Sequence, residues 1–159
     1  MASISHRVEI KAPTGAVYEV ISTLGGLRSW WSTGVHGNPE KGGALRIDFD
    51  ETRSTSLSVT KAQKNKSAAW MVTSSNFPEG KDWLKTTILF DLSEGEDRGT
   101  VLSFSHDGWK DKAPSFALSS KRWNVALQSL AGLCENGKGK PEIPKKKNAK
   151  KATGWFPVS

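Results

Sequence analysis

Residues 100–137 read TVLSFSHDGWKDKAPSFALSSKRWNVALQSLAGLCENG, and the periodicity changes once inside them. From Thr100 to Gly108, Leu102, Phe104 and His106 fall on one face, and Val101, Ser103 and Ser105 on the other. That two-residue repeat is a strand with one covered side. From about 115 to 136 the repeat is helical. Phe116, Ser120, Trp123, Leu127, Leu130 and Cys134 recur on one side, with Lys121, Arg122, Gln128 and Glu135 mainly on the other. Pro114 sits near the start, and Gly137 stops the helix where a left-handed residue is favoured. A one-sided strand feeding a long amphipathic helix predicts two layers, sheet against helix, in the α+β class.

Working outward, residues 3–11 alternate Ile4, His6, Val8 and Ile10 against Ser5, Arg7, Glu9 and Lys11, a first strand. Pro13 and Thr14 open a helix over about 14–22, with Val17, Tyr18 and Ile21 on one stripe. Gly25-Gly26 is expected to break it before a short second helix, about 26–31, carrying Leu27, Trp30 and Trp31. Four more strands follow. Residues 45–50 alternate Leu45, Ile47 and Phe49 with Arg46, Asp48 and Asp50. Residues 55–62 and 67–74 flank the turn QKNK, and 84–93 place Thr86, Ile88, Phe90 and Leu92 on one face. Between them TSSNFPEGKDW reads as irregular, and His36 as part of a glycine-flanked loop. Short turns between consecutive strands imply an antiparallel meander.

The chain has 159 residues and a net charge of +7, and the charge is unevenly placed. Residues 1–137 hold 16 Lys+Arg and 15 Asp+Glu, a net of +1, while 138–159 hold seven lysines and Glu142, a net of +6. A body of mixed charge argues against a built-in polyanion face. The lysine-rich stretch has almost no apolar side chains before GWFPVS, so it reads as a flexible tail behind a domain of 1–137. It is a solvated end, a nonspecific polyanion contact, or part of a binding motif; Trp155 and Phe156 could dock on the body. Lysines without interleaved aromatics attract phosphate but read no sequence. A lone cysteine, Cys134, excludes a disulfide framework and a cysteine-built zinc site. No apolar run approaches the ~18 residues of a membrane span. With no apolar signal core at the N-terminus, a cytoplasmic protein is expected.

The order strand, two helices, meander, long helix resembles the helix-grip fold of the START and Bet v 1-like (SRPBCC) superfamily. Three strings carry the likeness over about residues 4–141: IKAPTGAVYEVISTLGGLRSWW, RGTVLSFSHDGW and RWNVALQSLAGLCENGKGKP. Together they resemble the subgroup homologous to the activator of heat-shock protein 90 ATPase. The resemblance implies a curved antiparallel sheet wrapped around the long helix with a cavity between them. It also implies an apolar or amphipathic ligand there, lipid-like or polyketide-like. A chaperone partner is the alternative implied by the subgroup, and a cyclase or hydrolase acting in the cavity is the third.

Seven tryptophans supply candidates for the cavity lining. Trp30, Trp31, Trp70 and Trp123 come from different elements and can converge on one space. Phe49, Phe90, Phe104, His106 and Leu127 complete the expected lining, with Trp83 and Trp109 at the rim. His106 is the best titratable candidate on an apolar face, either a proton carrier or a strand-end histidine bonded to backbone; His6 also falls on the apolar side of its strand. Arg46 and Asp48 read as solvent-facing. No histidine pair has metal-ligand spacing, so neither a metal nor a cofactor is expected. Cys134 reads as a small buried thiol without an activating base. No phosphate-loop, nucleophile-elbow or dinucleotide signature is present.

Overall fold

The computed structural model describes residues 2–76 and 78–144. Seven strands form one antiparallel sheet: β1 (Ala2–Ile10), β2 (Gly34–Gly37), β3 (Ala44–Asp48), β4 (Ser54–Gln63), β5 (Ser67–Ser75), β6 (Thr87–Glu94) and β7 (Thr100–Trp109). Their order across the sheet is β1-β7-β6-β5-β4-β3-β2. Three helices complete the chain: α1 (Thr14–Ser22), α2 (Leu24–Trp30) and α3 (Phe116–Asn136). The chain therefore folds as the expected helix grip, and the long helix lies across the concave face of the sheet.

Register explains which side is covered. Phe90 pairs with Phe104, and His106 lies between Ile4 and Ile88, so all point to the same face. Phe90, Phe104 and Ile88 are buried there beneath Trp123, Leu127 and Leu130 of α3. Burying each of these three helix side chains contributes roughly 1.5–3 kcal/mol. Register shifts between Ser56 and Leu57 and between Val59 and Lys61 interrupt the β4–β5 ladder. Such bulges bend a strand, which helps the sheet curl around the helix. Gly137 ends α3 at φ 81°, and its N–H closes on the Leu133 carbonyl.

Four local readings change. Gly25 and Gly26 lie inside α2 instead of ending α1; the break falls at Thr23, whose Oγ1 accepts from the Gly26 N–H and caps α2. His36 belongs to β2, an edge strand of four residues, too short to show a repeat in the sequence. The sixth strand starts at Thr87, because Lys85 has a left-handed backbone (φ 65°) that an extended run cannot contain. Within the stretch read as irregular, Pro78–Trp83 forms a 3-10 helix.

After α3 the chain stays on the body as far as Pro144. Lys140 N–H donates to Ser129 Oγ at 2.6 Å, Glu142 N–H to the Trp31 carbonyl at 2.9 Å, and Thr33 N–H to the Glu142 carbonyl at 2.9 Å. Gly139 makes this possible. A Cβ there would stand 2.2 Å from the Ser29 carbonyl oxygen and 3.1 Å from Trp30 Cα. Residues 138–144 form a strap across the end of α2. Residues 145–159, including Trp155 and Phe156, lie outside the described residues.

Candidate functional site

A half-open groove of about 310 Å³ runs beside α3. One wall is the helix itself, through Leu118, Arg122, Val125 and Ala126. The other is the end of α2 with the strap, through Trp30, Trp31, Lys140 and Glu142; Phe49, Trp83 and Trp123 close the floor. The floor is a continuous aromatic layer. Trp31 stacks on Trp30 at 5.6 Å and on Trp70 at 5.4 Å, and its centroid lies 5.4 Å from that of Trp123. Trp83 stacks on Trp123 at 6.0 Å, and Phe49 stands edge-on to both Trp31 and Trp83. Trp30, Trp31, Phe49, Trp83 and Trp123 are each at most 8% exposed, so only a small part of each ring is open to the groove. Its apolar rim, by contrast, is open: Val125 is 67% and Leu118 41% exposed.

Trp83 reaches this position because the 3-10 helix turns it inward, where its indole N–H donates to Ser119 Oγ at 3.0 Å. Lys121, Arg122 and Lys140 bring positive charge to the rim, and Glu142 a carboxylate. Burial raises the Glu142 carboxyl above the usual carboxylate range, although the guanidinium groups of Arg53 and Arg122 pull the other way. The residue keeps a solvent-exposed face, so screening limits the effect.

Of the expected lining, the structure brings Trp30, Trp31, Phe49 and Trp123 to the groove. Trp70, Phe90, Phe104 and Leu127 lie behind them in the packed core between sheet and helix. The space expected there is occupied by rings: Phe90 packs edge-on to Trp70 at 4.9 Å and to Phe104 at 5.2 Å, and Phe104 meets Trp123 at 4.5 Å. Of the two rim candidates, Trp83 lines the groove, whereas Trp109 is fully buried under Phe116.

His106 is sealed. Its side chain is 0% exposed, with Trp83 and Trp109 ring centroids 4.9 and 4.8 Å away. Trp123 donates its indole N–H to Nδ1 at 3.0 Å, which leaves the ring proton on Nε2. Nε2 then donates to Thr86 Oγ1 at 2.7 Å, and the Thr86 hydroxyl donates to the Trp83 carbonyl at 2.5 Å. Burial pushes the imidazole down to about 3. The neutral ring therefore has both nitrogens engaged and no path to the groove. His6, also on the inward face, bonds the Ser120 carbonyl at 3.1 Å. His36 sits on the edge of the sheet, 3.5 Å from the Asp48 carboxylate, which Arg46 also pairs at 2.8 Å. Burial, with the Glu135 carboxylate beside it, pushes the Cys134 thiol up to about 11, so it stays protonated. Among the described residues no group of three or more His, Cys, Asp or Glu side chains is placed to hold a metal, and no helix is long and apolar enough to cross a membrane.

The family model described as activator of Hsp90 ATPase homolog 1-like protein matches residues 11–135. The chain belongs to that family. The Hsp90-activator-like match takes in α1 to the last turn of α3 but stops short of the strap, so the Lys140 and Glu142 part of one groove wall comes from outside the matched region. Among solved structures of similar shape is the Aha1 dimer from Colwellia psychrerythraea. It is 31% identical with a TM-score of 0.76, over 87% of this chain and 100% of that one. Protein SSP2350 from Staphylococcus saprophyticus matches at 16% identity and TM-score 0.71, covering 89% and 98% of the two chains. CalU16 from Micromonospora echinospora matches at 18% identity and TM-score 0.64, covering 82% and 74%. At these lower identities the likeness is one of fold. No curated protein matches the sequence significantly.

The groove residues beyond the expected list are Leu118, Ser119, Lys121, Arg122, Val125, Ala126, Lys140 and Glu142, with Trp83 now on the floor. A signal for the helix members exists. Leu118, Arg122 and Val125 recur at i, i+4 and i+7, a second stripe beside the core stripe. For Lys140 and Glu142 no periodic signal exists, because a strap has none.

Proposed function

We propose that this member of the family binds an amphipathic small molecule in the groove beside α3. An apolar, flat portion lies against Trp31, Trp83 and Trp123 and the Leu118–Val125 rim. A polar or anionic end meets Lys121, Arg122 and Lys140. The observation that carries the reading is the pairing of a rigid aromatic floor with two exposed aliphatic side chains on a helix that otherwise turns such residues inward. A concave, mostly apolar site with a few polar groups at its edge is the usual form of a small-molecule site. Its volume, about 310 Å³, stands at the lower end of the ~300–1,000 Å³ such sites span, which favours a compact ligand.

Titration with the flat anionic probe 1-anilinonaphthalene-8-sulfonate, followed by calorimetry and native mass spectrometry, tests it. One equivalent should bind, and Leu118→Lys with Val125→Lys should remove most of the affinity. Absence of binding, or binding indifferent to both substitutions, overturns the proposal.

A second reading, a chaperone-associated module, draws on the family match and on the 31% identity to the Aha1 dimer. Its test is the ATPase rate of an Hsp90-type chaperone with and without the protein; an unchanged rate and no co-purification remove it. A cyclase or hydrolase acting through His106 finds no support in the geometry, since the ring is sealed and both nitrogens are bonded.

A further inference from the structure

We propose that Glu142 couples the charged end of the groove to the proton: an anionic ligand end binds there as the Glu142 carboxylate takes up one proton from solvent. This deepens the small-molecule reading and rests on it.

The charges of the groove set the problem. Among the described residues that line it, Glu142 is the one carboxylate, and Lys121, Arg122 and Lys140 are the cations. An anionic end drawn to those cations comes to rest near a like charge. Glu142 cannot retreat with its strap. Its N–H donates to the Trp31 carbonyl at 2.9 Å, and its own carbonyl accepts from the Thr33 N–H at 2.9 Å. The carboxylate thus swings only from a fixed Cα, within side-chain reach of the wall. What remains is to lose its charge, and a carboxylate beside a second anion does so by binding a proton at one oxygen. The ligand itself is unchanged.

The surroundings favour that outcome. Charged groups act on Glu142 from two other elements: Arg122 from α3, and Arg53 with Asp50 from the turn between β3 and β4. Burial already raises the Glu142 carboxyl above its usual range; the two guanidinium groups oppose this, and the Asp50 carboxylate adds to it. Arg53 is bonded to Asp50 at 2.6 Å and stands outside the groove lining, whereas Arg122 lines it. An anion held at Arg122 therefore offsets the guanidinium charge that faces the ligand, and Glu142 holds its proton more tightly. No histidine and no second carboxylate lines the groove, so the linked proton has one seat there.

The coupling is reciprocal: the anion tightens the proton, and the proton tightens the anion by the same factor. Affinity for an anionic ligand then rises as pH falls, by at most about tenfold per pH unit for one linked proton. Because Glu142 keeps a face in water, added salt weakens the coupling. The groove thus loads its anionic ligand in mild acid and releases it at higher pH.

The test compares two probes on the full chain: 1-anilinonaphthalene-8-sulfonate, and the uncharged N-phenyl-1-naphthylamine, which has the same rings without the sulfonate. Calorimetry in two buffers of different ionisation enthalpy counts the protons taken up, between mildly acidic and neutral pH. The sulfonate probe should bind with net proton uptake and tighten as pH falls. The uncharged probe should bind with neither effect. Glu142→Gln should abolish the uptake and bind the sulfonate probe at neutral pH as tightly as the unaltered protein does in mild acid. If both probes bind without uptake, or if the uptake survives Glu142→Gln, the proton coupling is overturned and the small-molecule reading stands. Equal uptake with the uncharged probe, or binding of that probe alone, likewise overturns the coupling. If neither probe binds, both readings fall.

Discussion

Trp123 on α3 donates its indole N–H to Nδ1 of His106 on β7 at 3.0 Å, and this bond is a buried polar tie across a mostly apolar interface between helix and sheet. The tie continues through Nε2 to Thr86 and on to the Trp83 carbonyl, so one neutral imidazole links α3, β7 and the 3-10 helix that positions the groove floor. A charged imidazole would lose the acceptor at Nδ1 and place a cation among tryptophans.

Stability should therefore fall as the solution is acidified. The folded protein keeps His106 neutral down to about 3, whereas an unfolded chain titrates it near the ordinary value of 6.5. Between those values the unfolded state binds the extra proton, so unfolding becomes easier as pH drops, by up to about 1.4 kcal/mol per pH unit. Gln at 106 can accept from Trp123 and donate to Thr86 without titrating. Urea melts across this window should show a shallower acid loss for His106→Gln than for the unaltered protein; equal slopes would contradict the assignment.

Trp123→Phe removes the donor and leaves Nδ1 buried without a partner. The expected cost is about 1–3 kcal/mol for the orphaned acceptor. Because His106→Leu removes the same bond from the other side, the double variant should cost less than the sum, with a coupling of about 0.5–3 kcal/mol. Strict additivity in a chemical-denaturation cycle would show that the two rings merely touch.

Glu142→Gln should raise the melting temperature slightly at neutral pH. The native carboxyl titrates above its ordinary range, mainly through burial, so the native state favours the proton more than the unfolded state does. Whatever stability this gives is present below the unfolded value and is lost as pH rises through the folded one. The neutral amide escapes that loss, and the advantage should vanish in acid. A lower melting temperature at neutral pH would mean that the pairing with Arg53 and Arg122 outweighs burial.

Retention on heparin should reside in the lysine block. Residues 1–137 carry a net of only +1, and five of the seven later lysines fall within 145–151. Replacing those five with glutamine should remove most retention and flatten its salt dependence, while the melting temperature stays put. Strong retention after the replacement would point to a basic face on the body.

Much of the fold was legible because its signals are periodic. Leu102, Phe104 and His106 announce a strand face, and Trp123, Leu127 and Leu130 a helix face, each with enough repeats to fix the period. Gly34–Gly37 spans too few residues for that, and β2 went unread. The site was less legible. Periodicity says that Trp70, Phe90 and Phe104 point inward; it does not say whether the interior is hollow. The structure fills it with interlocking rings and moves the open space to the flank of α3. What brings Glu142 to that flank is a path set by Gly139, two backbone–backbone hydrogen bonds and one from the Lys140 N–H to Ser129 Oγ, and no periodic pattern encodes such a path.

On its own side the strap is held by main-chain N–H and C=O groups, so the side chains of Lys140 and Glu142, unlike Gly139, take no part in those hydrogen bonds. Lys140 and Glu142 could be replaced by residues of other size or charge without loosening the N–H and C=O contacts that hold the segment. The interior aromatics have no such freedom, since each ring wedges its neighbours. The protein thus separates the part that must stay constant from a short segment free to vary. Relatives that differ only between positions 140 and 143 would share one scaffold yet present differently lined grooves, so selectivity could diversify at little risk to folding.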